Sequence, residues 1–114
     1  MKTWTLRFRQ VDRDNFEEVR RGEKSIETRA ASVKYQPIKE GDTLRFVCGT
    51  DSFEKHITRR YHWPSIDAML EEVPLKRVMP SVASEAEMRA AYASYLGYEQ
   101  KIRDFGLLGF ELSD

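Results

Sequence analysis

The sequence predicts an α+β domain: a small, mostly antiparallel β-barrel of about five to six strands, with a short helix after the first strand and two or three helices before the last. Three observations carry this. Apolar residues alternate with polar ones in short runs over both ends and the middle of the chain, the period of half-buried strands. Runs at helical spacing, each opened by a capping residue, interrupt them. At 114 residues and 13.4 kDa, with 40% hydrophobic residues, the chain is one domain, residues 1–114, able to bury a single core without disulfides.

Thr3 to Arg9 alternates strictly, with Trp4, Leu6 and Phe8 on one face and Thr5, Arg7 and Arg9 on the other, which reads as a strand. Asp14-Asn15-Phe16-Glu17 places a capping side chain ahead of an acidic third helical position, and Gly22 follows Arg20 and Arg21. This predicts a short helix from N-cap Asp14 to C′ Gly22, its basic last turn matched to the helix dipole. Lys24 to Arg29 resumes the period of two as a second strand, with Ile26 and Thr28 on one side and Ser25, Glu27 and Arg29 on the other.

Ala30 to Pro37 reads as a loop. Lys39-Glu40-Gly41-Asp42 is a turn signal opening a third strand, Thr43 to Cys48, with Leu44, Phe46 and Cys48 toward the core. Gly49 to Ser52 reads as a hairpin turn, followed by a long strand from Phe53 to His62. Beyond Pro64, Ser65 caps a helix carrying Ile66, Met69, Leu70 and Val73, and Pro74 to Ser81 is a connector. Ser84-Glu85-Ala86-Glu87 is a capping box for a helix with Met88, Ala91, Tyr92 and Tyr95 at helical spacing. A further helical piece spans Tyr98 to Phe105, and Gly106 releases the chain into a last strand, Leu107 to Leu112. Pairing of the first and last strands would close the barrel and remove its edges.

Lys+Arg 19 against Asp+Glu 19 leaves no net charge, which excludes binding to nucleic acid by bulk charge. The balance is uneven along the chain. Residues 1–63 carry 14 Lys/Arg and 10 Asp/Glu, while residues 64–114 carry 5 and 9. A local basic face therefore fits the first part. No apolar run reaches the roughly 18 to 20 residues of a membrane span, and the N-terminus has no signal-peptide h-region, so no membrane partner is expected. The single cysteine, Cys48, allows no internal disulfide and fits a reducing, cytoplasmic setting. Its place at the end of an apolar strand makes it a small buried hydrophobe. Cys48, His56 and His62 have no zinc spacing, and neither a serine triad, a P-loop nor a dinucleotide fingerprint is present; no cofactor is expected.

Gly22 to Arg29 forms the pattern G-x-K-x-x-E-x-R, and Gly41-Asp42-Thr43-Leu44-Arg45-Phe46 forms GD-x-L-x-F. Together with Tyr61-His62-Trp63, Glu71-Glu72, the Val78-Met79-Pro80 connector, the tyrosine-rich helix and the closing Gly106 to Phe110 strand, these resemble, in the same order along nearly the whole chain, the ASCH (activating-signal-cointegrator homology) family. The resemblance implies a PUA-like β-barrel and an RNA-associated module, with a binding cleft beside the G-x-K-x-x-E-x-R strand. The ligand-binding residues expected there are Lys24, Glu27, Arg29, Arg59, Arg60, Tyr61 and Trp63, for RNA or a nucleoside- or nucleotide-like ligand.

Each residue has a functional and a plain reading. Lys24 at a strand mouth holds a phosphate, acts as a base if desolvated, or is simply solvated. Glu27 and Arg29, two apart on one strand, share a face; they either read a base edge and a phosphate or form a rim ion pair. On a regular strand Lys24 points to the other side, so the three converge only where the strand twists or bulges near its start. Arg59-Arg60-Tyr61-His62-Trp63 interleaves cations and rings as base stacking beside phosphates requires, with one ring expected in the core and one at the surface.

Some small bacterial members of the family are amidohydrolases on acetylated cytidine nucleosides, and others are ribonucleases. A hydrolase is therefore the alternative class, with Lys24 and Glu27 as catalytic residues. This chain departs from the amidohydrolase pattern, which has a threonine nucleophile three after the motif lysine where this chain has Glu27; Ser25 and Thr28 are out of register. Glu27 would then act as general base on water, with Lys24 stabilising the oxyanion. Glu71 or Glu72 matches that subgroup's partner acid by order alone. A third class is a protein partner bound through the Tyr92/Tyr95 helix.

Overall fold

The computed structural model describes residues 1–114. Its elements are β1 (Thr3–Phe8), a single 3-10 turn (Gln10–Asp12), α1 (Arg13–Arg20), β2 (Ile26–Ala30), β3 (Thr43–Cys48) and β4 (Asp51–Trp63), followed by α2 (Ile66–Glu72), α3 (Leu75–Val78), α4 (Glu85–Ser94), α5 (Tyr98–Phe105) and β5 (Leu107–Ser113). The five strands make one curled sheet in the order β1-β3-β4-β5-β2. Only the β1–β3 pair is parallel. The result is the expected α+β class in the form of a half-barrel.

The half-barrel stays open. β1 and β2 are the two edges, and the first and last strands do not pair, because β5 is held between β4 and β2. The predicted closure of first on last strand is therefore corrected: the seam lies between β1 and β2.

β4 bends to serve two layers. Its first half pairs with β3 through a two-residue turn, Gly49-Thr50, and its second half pairs with β5. A register shift between Ile57 and Arg59 leaves Thr58 as the extra residue of a bulge, which turns the strand. Ile57, before the bulge, joins Leu6, Phe16, Leu44 and Phe46 in a core under α1. Tyr61 and Trp63, after it, join Met69, Met88 and Ile102 in a second core under α2 to α5. β5 is buried on both faces, with Leu107 in one core and Leu108 and Phe110 in the other, which explains its near-continuous apolar run. Gly109 is required there: a Cβ would stand 2.5 Å from two carbons of the Trp63 ring, which lies across the strand.

Several boundaries differ from expectation for local reasons. The 3-10 turn feeds α1 directly, so the helix starts at Arg13 and Asp14 lies inside it; Asp12, at the cap position, accepts instead from Arg9 Nε at 2.8 Å. Gly22, at φ 82°, does end the helix as the C′ residue. β2 begins only at Ile26, two residues after Lys24. The Pro74–Ser81 connector contains the one-turn α3. Both predicted serine caps form, with Ser65 Oγ accepting from Ala68 N–H at 3.1 Å and Ser84 Oγ from Glu87 N–H at 3.2 Å.

The GD turn ties the edge strand β1 to its neighbour β3. The Asp42 carboxylate accepts from Lys2 N–H (3.1 Å), Trp4 Nε1–H (2.9 Å) and Lys39 N–H (3.1 Å). The start of β1 is thereby tied to the start of β3, next to which it runs in register from Thr3↔Thr43.

Candidate functional site: a cleft in the open seam

A cleft of about 410 Å³ occupies the gap that the sheet leaves between β1 and β2. That size suits a ligand of one or two rings. β1 contributes Arg7 and Phe8, and the segment Lys24 to Arg29 forms the opposite wall. Asp12 and Asn15 of the α1 entry and Tyr95 and Leu96 of the α4–α5 corner form its lips. Among its lining residues, Arg7, Arg9, Lys24 and Arg29 face only two carboxylates, Asp12 and Glu27, so the cleft favours an anion.

Lys24, Glu27 and Arg29 meet on this wall. Lys24 Nζ lies 3.1 Å from Glu27 Oε1, and Glu27 Oε2 accepts from Arg29 at 3.0 and 3.2 Å. Convergence follows from where the strand starts. Lys24 N–H donates to the Glu18 carbonyl at the end of α1 (3.0 Å) and Ser25 N–H to the Arg77 carbonyl (3.1 Å), so neither residue is in the ladder by its N–H. Lys24 is thus freed from strand alternation and its side chain turns to the Glu27 side.

Lys24 and Glu27 are buried, at 6% and 2% exposed, and Arg29 is half-buried. Burial pushes the Glu27 carboxyl up, but Lys24 and then Arg29 outweigh it and hold the group below the usual carboxylate range. Both its oxygens are engaged. Arg29 is fixed further, with its guanidinium carbon 5.2 Å from the Phe8 ring centroid and 5.6 Å from that of Tyr35. Two fixed cations share one carboxylate, and the unit keeps one net positive charge. At the rim, Arg7 is exposed and makes no hydrogen bond or ion pair within the chain.

The other wall is aromatic and hydroxylic. Thr28 Oγ1 and Tyr92 Oη are 2.6 Å apart, and burial pushes the Tyr92 phenol up, so it stays protonated. Tyr95 and Tyr98 meet edge to face at 5.4 Å. Tyr92 is buried against the domain itself, so the tyrosine face of α4 looks inward to core and cleft rather than outward to a protein partner.

Arg59, Arg60, Tyr61 and Trp63 lie elsewhere, a correction to the expected lining. Tyr61 and Trp63 stack at 4.8 Å and are both buried, not one inside and one outside, because residues two apart on a strand share a face and β5 lies alongside. Trp63 Nε1 donates to Glu72 at 2.8 Å, which places that acid outside the cleft. Arg59 lies over Tyr61 at 4.5 Å. Arg60 donates to the Ile38 carbonyl at 2.9 Å and the Gln36 carbonyl at 3.2 Å, pinning the loop before β3. Sequence reading missed Arg7, Phe8 and Thr28 as cleft residues and did not place the tyrosines, offered as a protein-partner surface, in the cleft. The signal available for Arg7 was its place on the polar side of an edge strand.

No family model matches the chain, and no curated protein matches it. Among solved structures, the chain is similar over 99% of its length to the hypothetical protein PH0355, of which it covers 98%, with 25% identity and a TM-score of 0.83. It is also similar to protein PF0455 from Pyrococcus furiosus, at 25% identity and a TM-score of 0.76, over 97% of this chain and 96% of that one. Both likenesses span the whole domain. No helix is long and apolar enough to cross a membrane.

Proposed function

We propose that the seam cleft binds a nucleotide-like anion, as a free nucleotide or a few residues of RNA, and that the chain is an ASCH-like, PUA-like domain acting in the cytoplasm. The observation that carries this reading is the meeting of Lys24 and Arg29 around one carboxylate, opposite the unpaired Arg7 and between aromatic rings. Fixed cations beside exposed π-faces are what phosphate and base require together. The motif string G-x-K-x-x-E-x-R supports it, since its three named side chains share one wall.

Glu27 in this reading positions cations. A general base needs a free lone pair and an affinity for protons near neutral pH. Glu27 lacks the second, because Lys24 and Arg29 hold its carboxyl low, with three donors already on its two oxygens. Binding is therefore favoured over the hydrolase that Lys24 and Glu27 would run. The test is titration of a short single-stranded RNA and of 5′-nucleoside monophosphates into wild type and Arg7→Glu. Arg7 has no internal partner, so the variant folds; binding at least tenfold weaker with a shallower salt dependence is expected. Equal binding by both proteins overturns the reading, and turnover of acylated nucleosides abolished by Glu27→Gln would install the hydrolase in its place.

A further inference from the structure

Three features stand beside the ion cluster: the small pocket lined by Lys24, Lys55 and Asp114 near the end of α1, the groove between α2 and α4, and the free edge of β2. The first is closed by Asp114 on Lys55, and the second by the Arg89–Asp67 pair. The third is open. In an antiparallel pair, alternate residues exchange both backbone bonds with their partners, and the residues between point theirs away. Leu112 N–H donates to the Ser25 carbonyl, and Ala31 N–H to the Gly106 carbonyl, each at 2.9 Å. With the register Glu27↔Phe110 and Arg29↔Leu108, the odd-numbered residues of β2 spend their bonds on β5. Ile26, Thr28 and Ala30 turn theirs to the open edge.

Of these, Thr28 lines the cleft. Its residue is 7% exposed, and neither its N–H nor its carbonyl meets a hydrogen-bond partner elsewhere in the chain. A backbone donor and acceptor left without a partner in the chain on the wall of a cleft are open to a ligand. Around it stand Lys24, Glu27 and Arg29 on one face of the strand and Tyr92 on the other, so the cleft wraps the strand edge with Thr28 at its centre.

We infer that the Thr28 backbone N–H and carbonyl read the hydrogen-bonding edge of a nucleobase, pairing with an adjacent acceptor and donor on the base. This rests on the nucleotide reading of the cleft and assigns the part of the ligand that the cations leave unaccounted for. A residue in extended conformation presents its N–H and carbonyl side by side, and every base carries a neighbouring donor and acceptor on its pairing edge. An added peptide strand would need several alternate residues in a row. Here the run is broken, since the Ala30 carbonyl already accepts from Ser32 N–H at 2.8 Å and the Tyr98 hydroxyl sits beside the Ala30 N–H. Ile26 keeps its free groups too but does not line the cleft, so Thr28 is the one free residue that a ligand there meets, which suits a base edge and not a strand. The base then lies between Phe8 and the Tyr95–Tyr98 pair, with its phosphate toward Arg7.

The test uses the full chain and four 5′-nucleoside monophosphates, each paired with a neutral analogue whose pairing edge is blocked: N6,N6-dimethyladenine, N4,N4-dimethylcytosine, N1-methylguanine and N3-methyluracil. At least one nucleotide is expected to bind, to lose at least tenfold on methylation, and to move the Thr28 amide resonance downfield. A second protein carries an ester in place of the Thr28 amide, which removes the N–H and no ladder bond. It is expected to melt near wild type, bind at least fivefold more weakly and discriminate less against the methylated analogue. A nucleotide that binds equally well when methylated, with the Thr28 amide unmoved, overturns the inference and leaves the cleft reading standing. No binding by any nucleotide, or saturable binding of an extended peptide at that amide instead, overturns both.

Discussion

Lys24 Nζ stands 3.1 Å from Glu27 Oε1 although strand alternation alone would put the two side chains on opposite faces of the sheet. The contact exists because the strand begins at Ile26 and Lys24 hangs from the end of α1. It makes Glu27 the shared counter-ion of one buried and one half-buried cation, and its loss is correspondingly costly.

Glu27→Gln leaves Lys24 and Arg29 without a counter-charge, and breaking one partner out of a buried ion cluster costs about 3–5 kcal/mol. Because the folded carboxyl is held below its ordinary value of 4.5, its contribution is complete above that pH and fades as pH falls through the folded value. Denaturant unfolding is therefore expected to show a large stability gap between wild type and Glu27→Gln at pH 7, shrinking steadily below pH 4.5. A gap independent of pH contradicts the ion cluster.

Asp42→Asn removes the charge that gathers three N–H donors and turns an amide toward one of them. A loss of about 2–3 kcal/mol is expected, read as a lower urea midpoint with unchanged slope. The burial of Asp42 also pushes its carboxyl up, but the Trp4, Lys2 and Lys39 donors win and hold it low, so its contribution too is lost only in acid.

Gly109→Ala forces a methyl into the Trp63 ring. Overpacking of this kind costs about 1–3 kcal/mol, and because the ring also stacks on Tyr61, the near-ultraviolet circular dichroism is expected to change with it.

Much of this architecture is local and was therefore legible. The period of two in Thr43–Cys48, the serine caps of α2 and α4 and the GD turn all act within a few residues and appear where the sequence puts them. The seam was not legible, because it depends on β5 entering beside β2 and leaving β1 without a partner there. For the same reason Arg7 and Phe8 could not be joined to Arg29 from spacing alone; more than twenty residues separate them. The aromatic cluster after Arg59 misled because interleaved rings and cations look alike whether they stack on a base or, as Tyr61 and Trp63 do, on each other.

Arg60 separates those two meanings. It holds the Ile38 and Gln36 carbonyls and does not line the cleft. Arg60→Ala is expected to lower stability by about 1–2 kcal/mol through the lost charged hydrogen bonds, with nucleotide affinity within twofold of wild type in an equilibrium titration.

The most direct measurement is a map of backbone amide shifts during titration with a 5′-nucleotide or short single-stranded RNA. Saturable shifts concentrated at Arg7, Lys24, Thr28, Arg29 and Tyr98, with Arg59 to Trp63 unmoved, are what a nucleotide in the seam predicts. Shifts confined to Arg59–Trp63, or none at millimolar ligand, would contradict it.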